Sequence, residues 1–341
     1  MTGILYALLS AALFGVSAPL AKLLLGEVSP WLLAGLLYLG SGLGLALVRL
    51  FRRSNEAGLS RRDLPWFAAA VLSGGVVGPV LLVFGLVQSA AAEASLLLNL
   101  ESVLTLGIAW IVFRENVDRR LLVGAAAIVV GALVLSWPKD AAIGIGWGPV
   151  LIAGACLAWA VDNNLTRKVS AADPMQIAMV KGLAAGIVNV TIALSLGAPL
   201  PGIAAFTGAG LLGFFSYGVS LTLFVLALRH LGTARTGAYY ALAPFIGAGV
   251  AILLLGEPIS VAFVAGGLLM AIGLWLHLTE RHLHVHQHEP LEHEHVHVHD
   301  AHHQHAHAPG AAPEPHVHKH RHARLIHRHP HYPDLHHRHS H

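Results

Sequence analysis

Apolar residues run along most of this chain in blocks too long and too uniform for alternating strands, broken by short polar connections. Ten blocks approach the length of roughly 20 residues that a helix needs to cross a hydrocarbon core: 3–25, 31–50, 65–88, 92–113, 120–137, 148–167, 175–197, 203–228, 234–255 and 259–278. Inside a bilayer every backbone polar group needs an internal partner, which leaves helices or closed barrels, and uniformly apolar runs fit helices. The pattern therefore predicts an all-α membrane protein with ten transmembrane helices. Beyond Arg281 the pattern changes, and His282 to His341 is dominated by clustered histidines and prolines with few apolar residues. With nothing to bury, this tail is expected to be disordered.

Composition sharpens the division. The 341 residues are 55% hydrophobic and only 11% charged, whereas an ordinary soluble globule carries about a quarter charged residues. Residues 1–281 hold 16 of the 21 Lys/Arg and 12 of the 18 Asp/Glu, while 23 of the 25 histidines lie in 282–341. The pI near 9.2 does not point to nucleic acid, because the basic residues form no continuous stripe. A lone Cys156 in an apolar run excludes a disulfide framework or a multi-cysteine metal site within one chain and reads as a small buried hydrophobe. The first block has no basic leader and contains Lys22, so it reads as a span and not as a cleaved signal.

Loop charge sets the orientation. Arg49, Arg52, Arg53, Arg61, Arg62, Arg114, Arg119, Arg120, Arg167, Lys168, Arg229, Arg235 and Arg281 fall on one side of the predicted topology, against Lys139, and Lys22 at a span end, on the other. By the positive-inside rule both termini and the tail face the cytoplasm, with the cytoplasmic (inner) membrane as the expected location. Trp31, Trp66, Trp137 and Trp147 lie at span ends, as interfacial anchors do.

The chain also repeats itself. A shift of 142 lays Ala92, Leu100, Gly107, Ala109, Glu115, Gly124 and Gly131 on Ala234, Leu242, Gly249, Ala251, Glu257, Gly266 and Gly273. A shift of 145 lays the Phe14–Lys22 stretch on Trp159–Arg167. Each unit has five spans, and because five is odd the second enters the membrane from the opposite side. The expected organisation is a first five-helix repeat over 1–138, a second, inverted, over 146–280, and the tail over 282–341. Two such halves can exchange conformations around a central site, the basis of alternating access.

The run Gly256-Glu257-Pro258-Ile259 with its counterpart Arg114-Glu115-Asn116-Val117, and Leu242-Ala243-Pro244-Phe245, complete a pattern that resembles the EamA-type members of the drug/metabolite transporter superfamily over essentially residues 1–280. The resemblance implies small-solute secondary transport, commonly export of amino acids, other metabolites or toxic compounds, through a central cavity. One departure stands out: Glu101-Ser102 occupies the place of Ala243-Pro244.

Charges within spans cost about 2.5–3.5 kcal/mol each on insertion scales, so each needs a partner or a purpose. Glu101 lies mid-span with Asn99 nearby, and is a candidate proton carrier or a structural acid held by an amide. Asp162-Asn163-Asn164 is the most polar triplet in the bundle, and three successive positions fan around a helix so that not all face one cavity. Lys181 lies at a depth that permits an ion pair with Asp162, either as gate or as charge neutraliser. Tyr239, with Tyr217, Tyr240 and Phe245, could line a cavity or simply pack. Lys22 could snorkel to the interface as an anchor or touch a ligand. The substrate-pathway candidates are Glu101, Asp162, Asn163, Lys181, Asn99 and Tyr239.

In the tail, His282, His284, His286, His288, His293, His295, His297, His299, His302, His303, His305 and His307 are candidate metal ligands. Imidazoles near neutral pH are largely unprotonated, and a flexible chain can gather several around zinc, nickel or cobalt. No resident cofactor is required. His230 and His277, at cytoplasmic span ends, could accept metal from the tail. The leading functional expectation is a secondary transporter exporting a small solute, with a metal-binding tail. The rivals are a nickel, cobalt or zinc efflux transporter and a membrane-anchored metal buffer or sensor. No phosphate loop, cofactor motif or nucleophile–base pair supports an enzyme. Expected partners are the small-molecule or ion substrate and the lipid bilayer, not nucleic acid, and a homodimer stays open.

Overall fold

A computed structural model describes residues 2–51, 59, 61, 63–112, 117, 119–137, 146–169, 173–231 and 233–279, and, nearer the C-terminus, 282–288, 292–297, 316–321 and 325–331. The chain divides into two units, Met1–Glu280 and Arg281–His341.

In the first unit the apolar blocks become helices whose boundaries recur. The first copy comprises α1 (Thr2–Gly15), α2 (Ser17–Leu24), α3 (Pro30–Phe51), α4 (Leu64–Ala70), a π-helical stretch (Val71–Val77), α5 (Gly78–Gln88), α6 (Ala91–Leu97), α7 (Leu100–Ile111) and α8 (Arg119–Ser136). The second comprises α9 (Trp147–Val169), α10 (Pro174–Ser195), α11 (Ile203–Gly213), a π-helical stretch (Phe214–Val219), α12 (Ser220–Leu231), α13 (Thr233–Tyr240), α14 (Ala243–Leu255) and α15 (Val261–Leu278). A shift of 144 carries α3 onto α10 end to end, and a shift of 142 carries α8 onto α15 end to end. A shift of 143 carries the start of the first π-helical stretch onto the start of the second. The duplication read from a handful of identities is thus written into the backbone.

Among the described residues eight helical stretches are long and apolar enough to cross a membrane, with Ala243–Leu255 apolar but shorter. The two expected spans outside that set are the sixth and the ninth. The sixth, α9, carries Asp162, Arg167 and Lys168 toward its end, and the ninth is divided between α13 and α14. The first expected span is likewise divided, at Val16, into α1 and α2.

Glycines set how the helices meet. A Cβ at Gly35 would strike the backbone of Val190, one at Gly42 that of Leu183, and one at Gly186 that of Leu39. Ascending positions on α3 therefore meet descending positions on α10, so these repeat-related helices run antiparallel in backbone contact, as small residues permit. The other such pair behaves alike: Gly124 abuts the Gly273 carbonyl, and Gly131 abuts that of Gly266. Because Gly266 and Gly273 are the repeat mates of Gly124 and Gly131, each copy presents the same surface to the other. Leu32, Leu33, Leu37, Leu86, Leu96, Leu97, Ile128 and Ile152 fill the core around these contacts.

In the second unit, where composition predicts a disordered arm, the described backbone pairs antiparallel as His282–His288 with Leu325–His331 and as Glu292–His297 with His316–Arg321. Alternation of histidine with a second residue along these stretches supplies the period-two pattern that strands use. The all-α description therefore holds for the first unit.

Candidate functional site

The fourth span is not a continuous helix. Between α6 and α7 the backbone switches to i→i+3 bonds: Leu98 N–H donates to Ser95 O at 3.2 Å, and Asn99 N–H donates to Leu96 O at 3.1 Å. The ninth span breaks at the matching place, between α13 and α14, where Leu242 N–H donates to Tyr239 O at 3.2 Å. Side chains and neighbours satisfy the freed groups of the fourth span. Asn99 Nδ2 donates to Leu96 O at 2.8 Å, and the buried Cys156 Sγ lies 3.7 Å from Leu97 O. Breaks of this kind are tolerated at membrane depth where protein surrounds them, and they bring polar groups to the middle of a bundle.

Glu101 stands in the first turn of α7, immediately after this break. Its Oε1 accepts a hydrogen bond of 2.7 Å from Asn163 Nδ2 on α9. The acid comes from the first copy and the amide from the second, so the contact spans the two halves. The fan expected of the polar triplet is observed. Asn163 points to Glu101; Asp162 forms an ion pair through Oδ2 with Lys181 Nζ on α10; and Asn164 Nδ2 donates to Ala160 O at 2.8 Å. Asp162 Oδ1 also accepts from Thr166 Oγ1 at 2.9 Å.

The first π-helical stretch closes over this ion pair. A Cβ at Gly74 would overlap the Asp162 carboxylate. The Gly74 carbonyl accepts from Tyr38 Oη at 2.8 Å and from Trp159 Nε1 at 2.9 Å. From Tyr38 a run of rings crosses the bundle: Tyr38 to Tyr217 at 5.4 Å, Tyr217 to Phe14 at 5.9 Å, Phe14 to Tyr240 at 5.7 Å and Tyr240 to Phe224 at 4.8 Å between centroids. Tyr217 belongs to the second π-helical stretch, and π-helical turns inside α-helices are frequent at functional sites.

A carboxylate at a helix break, an ion pair and repeat-related helices in backbone contact thus lie within the first unit. The model of the EamA-like transporter family matches residues 1–137 and, a second time, residues 146–279. The chain belongs to the EamA-like transporter family. An uncharacterized transporter of Methanothermobacter thermautotrophicus (strain Delta H) is 28% identical over 284 residues, which is 77% of this chain and 82% of that protein. A solved crystal structure of a protein superposes with a TM-score of 0.58 at 18% identity, covering 81% of this chain and 96% of that one, a likeness of fold alone. This EamA-like protein is a membrane transporter of small solutes and not an enzyme.

Of the residues singled out from the sequence, the structure brings Glu101 to Asn163, and Asp162 to Lys181. Asn99 serves the helix break, bonded within its own turn. Among the described ring contacts it is Tyr240, not Tyr239, that joins the aromatic run. Tyr38, Trp159 and Phe14 escaped sequence reasoning, since one aromatic in an apolar span looks like any other. Lys22 does not join the Glu101 group: it donates to Leu86 O, and to Ser89 O at 2.9 Å. Within the EamA unit His277 Nε2 is engaged with Leu121 O at 3.0 Å. Among the described residues no group of three or more His, Cys, Asp or Glu could hold a metal ion. The imidazoles proposed from the tail, and Glu115, lie outside the described side chains.

Proposed function

We propose that the protein exports a small solute by alternating access, with Glu101 as the central carboxylate that meets the solute or a coupling proton. The observation that carries this reading is the Glu101–Asn163 hydrogen bond of 2.7 Å, formed between the two copies next to a broken helix. A group shared by both halves is remade whenever they rock against each other. Antiparallel packing of α3 with α10 and of α8 with α15 supports ten crossings in two inverted five-helix halves, and the excess of Lys/Arg on one set of connections supports both termini in the cytoplasm. Asp162 and Lys181 neutralise each other beside the pathway, and the aromatic run from Tyr38 to Phe224 forms one of its walls. The tail, with its 23 histidines, binds divalent transition metal as a cytoplasmic appendage.

The test is efflux of metabolites and of nickel, cobalt and zinc from cells expressing the full chain, the chain ending at Arg281, and Glu101→Gln. A metabolite that accumulates outside only when Glu101 is intact, with metal movement unchanged in all three, supports the reading. Metal export abolished by Glu101→Gln replaces it with a metal-efflux transporter. A metal phenotype lost with the tail and indifferent to Glu101 replaces it with a membrane-anchored buffer.

A further inference from the structure

Two charged side chains outside the central site close on one connection from opposite sides. The connection is Ser89–Ala90, which joins α5 to α6. Lys22, on α2, takes its upstream end by donating to Leu86 O, and to Ser89 O at 2.9 Å. Glu257 takes its downstream end: Oε1 accepts from Ala91 N–H and Oε2 from Ala92 N–H, both at 2.7 Å. Glu257 reaches this position because Gly256 ends α14 with φ +64°, a left-handed turn that glycine adopts without strain. The base thus belongs to the first copy and the acid to the second. The α5–α6 connection is clamped across the boundary between them.

We propose that Lys22 and Glu257 are gating residues of the transport cycle. Together they latch the α5–α6 connection on the external side, and they release it when the pathway opens outward. The inference rests on the alternating-access reading given above. Three features favour a latch over a fixed pillar. The groups held are the last carbonyls of one helix and the first amides of the next, which water can satisfy as well once the clamp opens. Both charged side chains are half-buried, within reach of that water. And α6 leads from the clamped amides, within a single short helix, to the break that carries Asn99 and Glu101. Movement of the connection is transmitted to the central carboxylate. In the repeat alignment Lys22 falls on Arg167 and Glu257 on Glu115, a base and an acid again. The amides of Ala91 and Ala92 fall on those of Thr233 and Ala234, at the start of α13.

The test reads accessibility and does not depend on knowing the solute. In a full-length Cys156→Ala background, Thr105→Cys, one turn beyond Glu101 on α7, reports on the central site, and a membrane-impermeant maleimide is applied to intact cells and to inside-out vesicles. Lys22→Met and Glu257→Gln are each expected to speed labelling from outside roughly tenfold or more, the shift that losing a charge-assisted hydrogen bond produces, and to slow it from inside. Lys22→Arg is expected to restore the original rates. Glu257→Asp keeps the charge but falls short of the two amides, and should mimic Glu257→Gln even if a neutral residue there impairs folding. External labelling that is unchanged or slower in Lys22→Met and Glu257→Asp overturns the latch. If the reporter can be labelled from neither side in any variant, the alternating-access reading itself fails. If it is labelled from inside at one unchanging rate, the latch alone fails.

Discussion

Replacing Asp162 with asparagine tests whether the central ion pair sits in a low-dielectric or a water-like setting. The Asp162 and Lys181 side chains are 6% and 16% exposed, which places the pair among buried ones. There, removing one partner costs about 3–5 kcal/mol, because the surviving charge is left uncompensated; a solvent-exposed pair would cost only about 0–1 kcal/mol. Asparagine has the same shape, and Gly74 packs against the carboxylate with no room for rearrangement, so cavity terms are small. The residual exposure of Lys181 lets some water in, and the expected loss lies at the lower end, about 3 kcal/mol. Adding Lys181→Met removes the stranded ammonium and should recover most of that loss. The measurement is reversible unfolding of the purified protein in mixed detergent–SDS micelles for wild type, both single variants and the double variant. A loss below about 1 kcal/mol in Asp162→Asn, or a double variant no more stable than the single, would refute the reasoning.

Two other outcomes follow from packing and from the division of the chain. In the same unfolding assay Gly131→Leu is expected to lose at least about 1–3 kcal/mol through overpacking, since even a Cβ there would come within 2.8 Å of Gly266 O and 2.9 Å of Met270 Cγ; Gly107→Ala, with nothing within 4 Å of its Cβ, should be close to neutral, and equal effects would sink the argument. Ending the chain at Arg281 is expected to abolish zinc or nickel binding measured by equilibrium dialysis while leaving the unfolding midpoint unchanged, and metal retained by the shortened protein would move the metal site into the bundle.

The large features of the fold were legible because they rest on length and hydropathy, which a bilayer enforces strongly. Apolar blocks located the helices, and the fixed offset between like residues located the duplication. Departures from regular helix were not legible. The break before Leu100 has no proline to announce it, unlike its mate before Pro244, and nothing local marks the π-helical stretches at Val71–Val77 and Phe214–Val219; in the first of them the carbonyls of Gly74 and Gly75 are engaged by Tyr38, Trp159 and Asn189, which are long-range contacts. For the site, depth in the span was enough to single out Glu101, Asp162 and Lys181. It could not show that Asn163 rather than Asn164 meets the acid, because one residue of helix rotation, about 100°, decides that. Lys22 was the least legible: a lysine at a span end usually reaches for water, and only the fold shows the carbonyls it takes.

The seam that joins α8 to α15 carries the same glycines on both sides, Gly124 and Gly131 against Gly273 and Gly266, so exchanging the two partners leaves it much as it was. A seam of that kind draws no distinction between the two halves. What distinguishes them must come from positions where they differ, among them Glu101-Ser102 set against Ala243-Pro244. In the alternating-access cycle proposed above, gradients set the direction of net transport, and asymmetries such as this one set only which of the two facings is the more populated at rest.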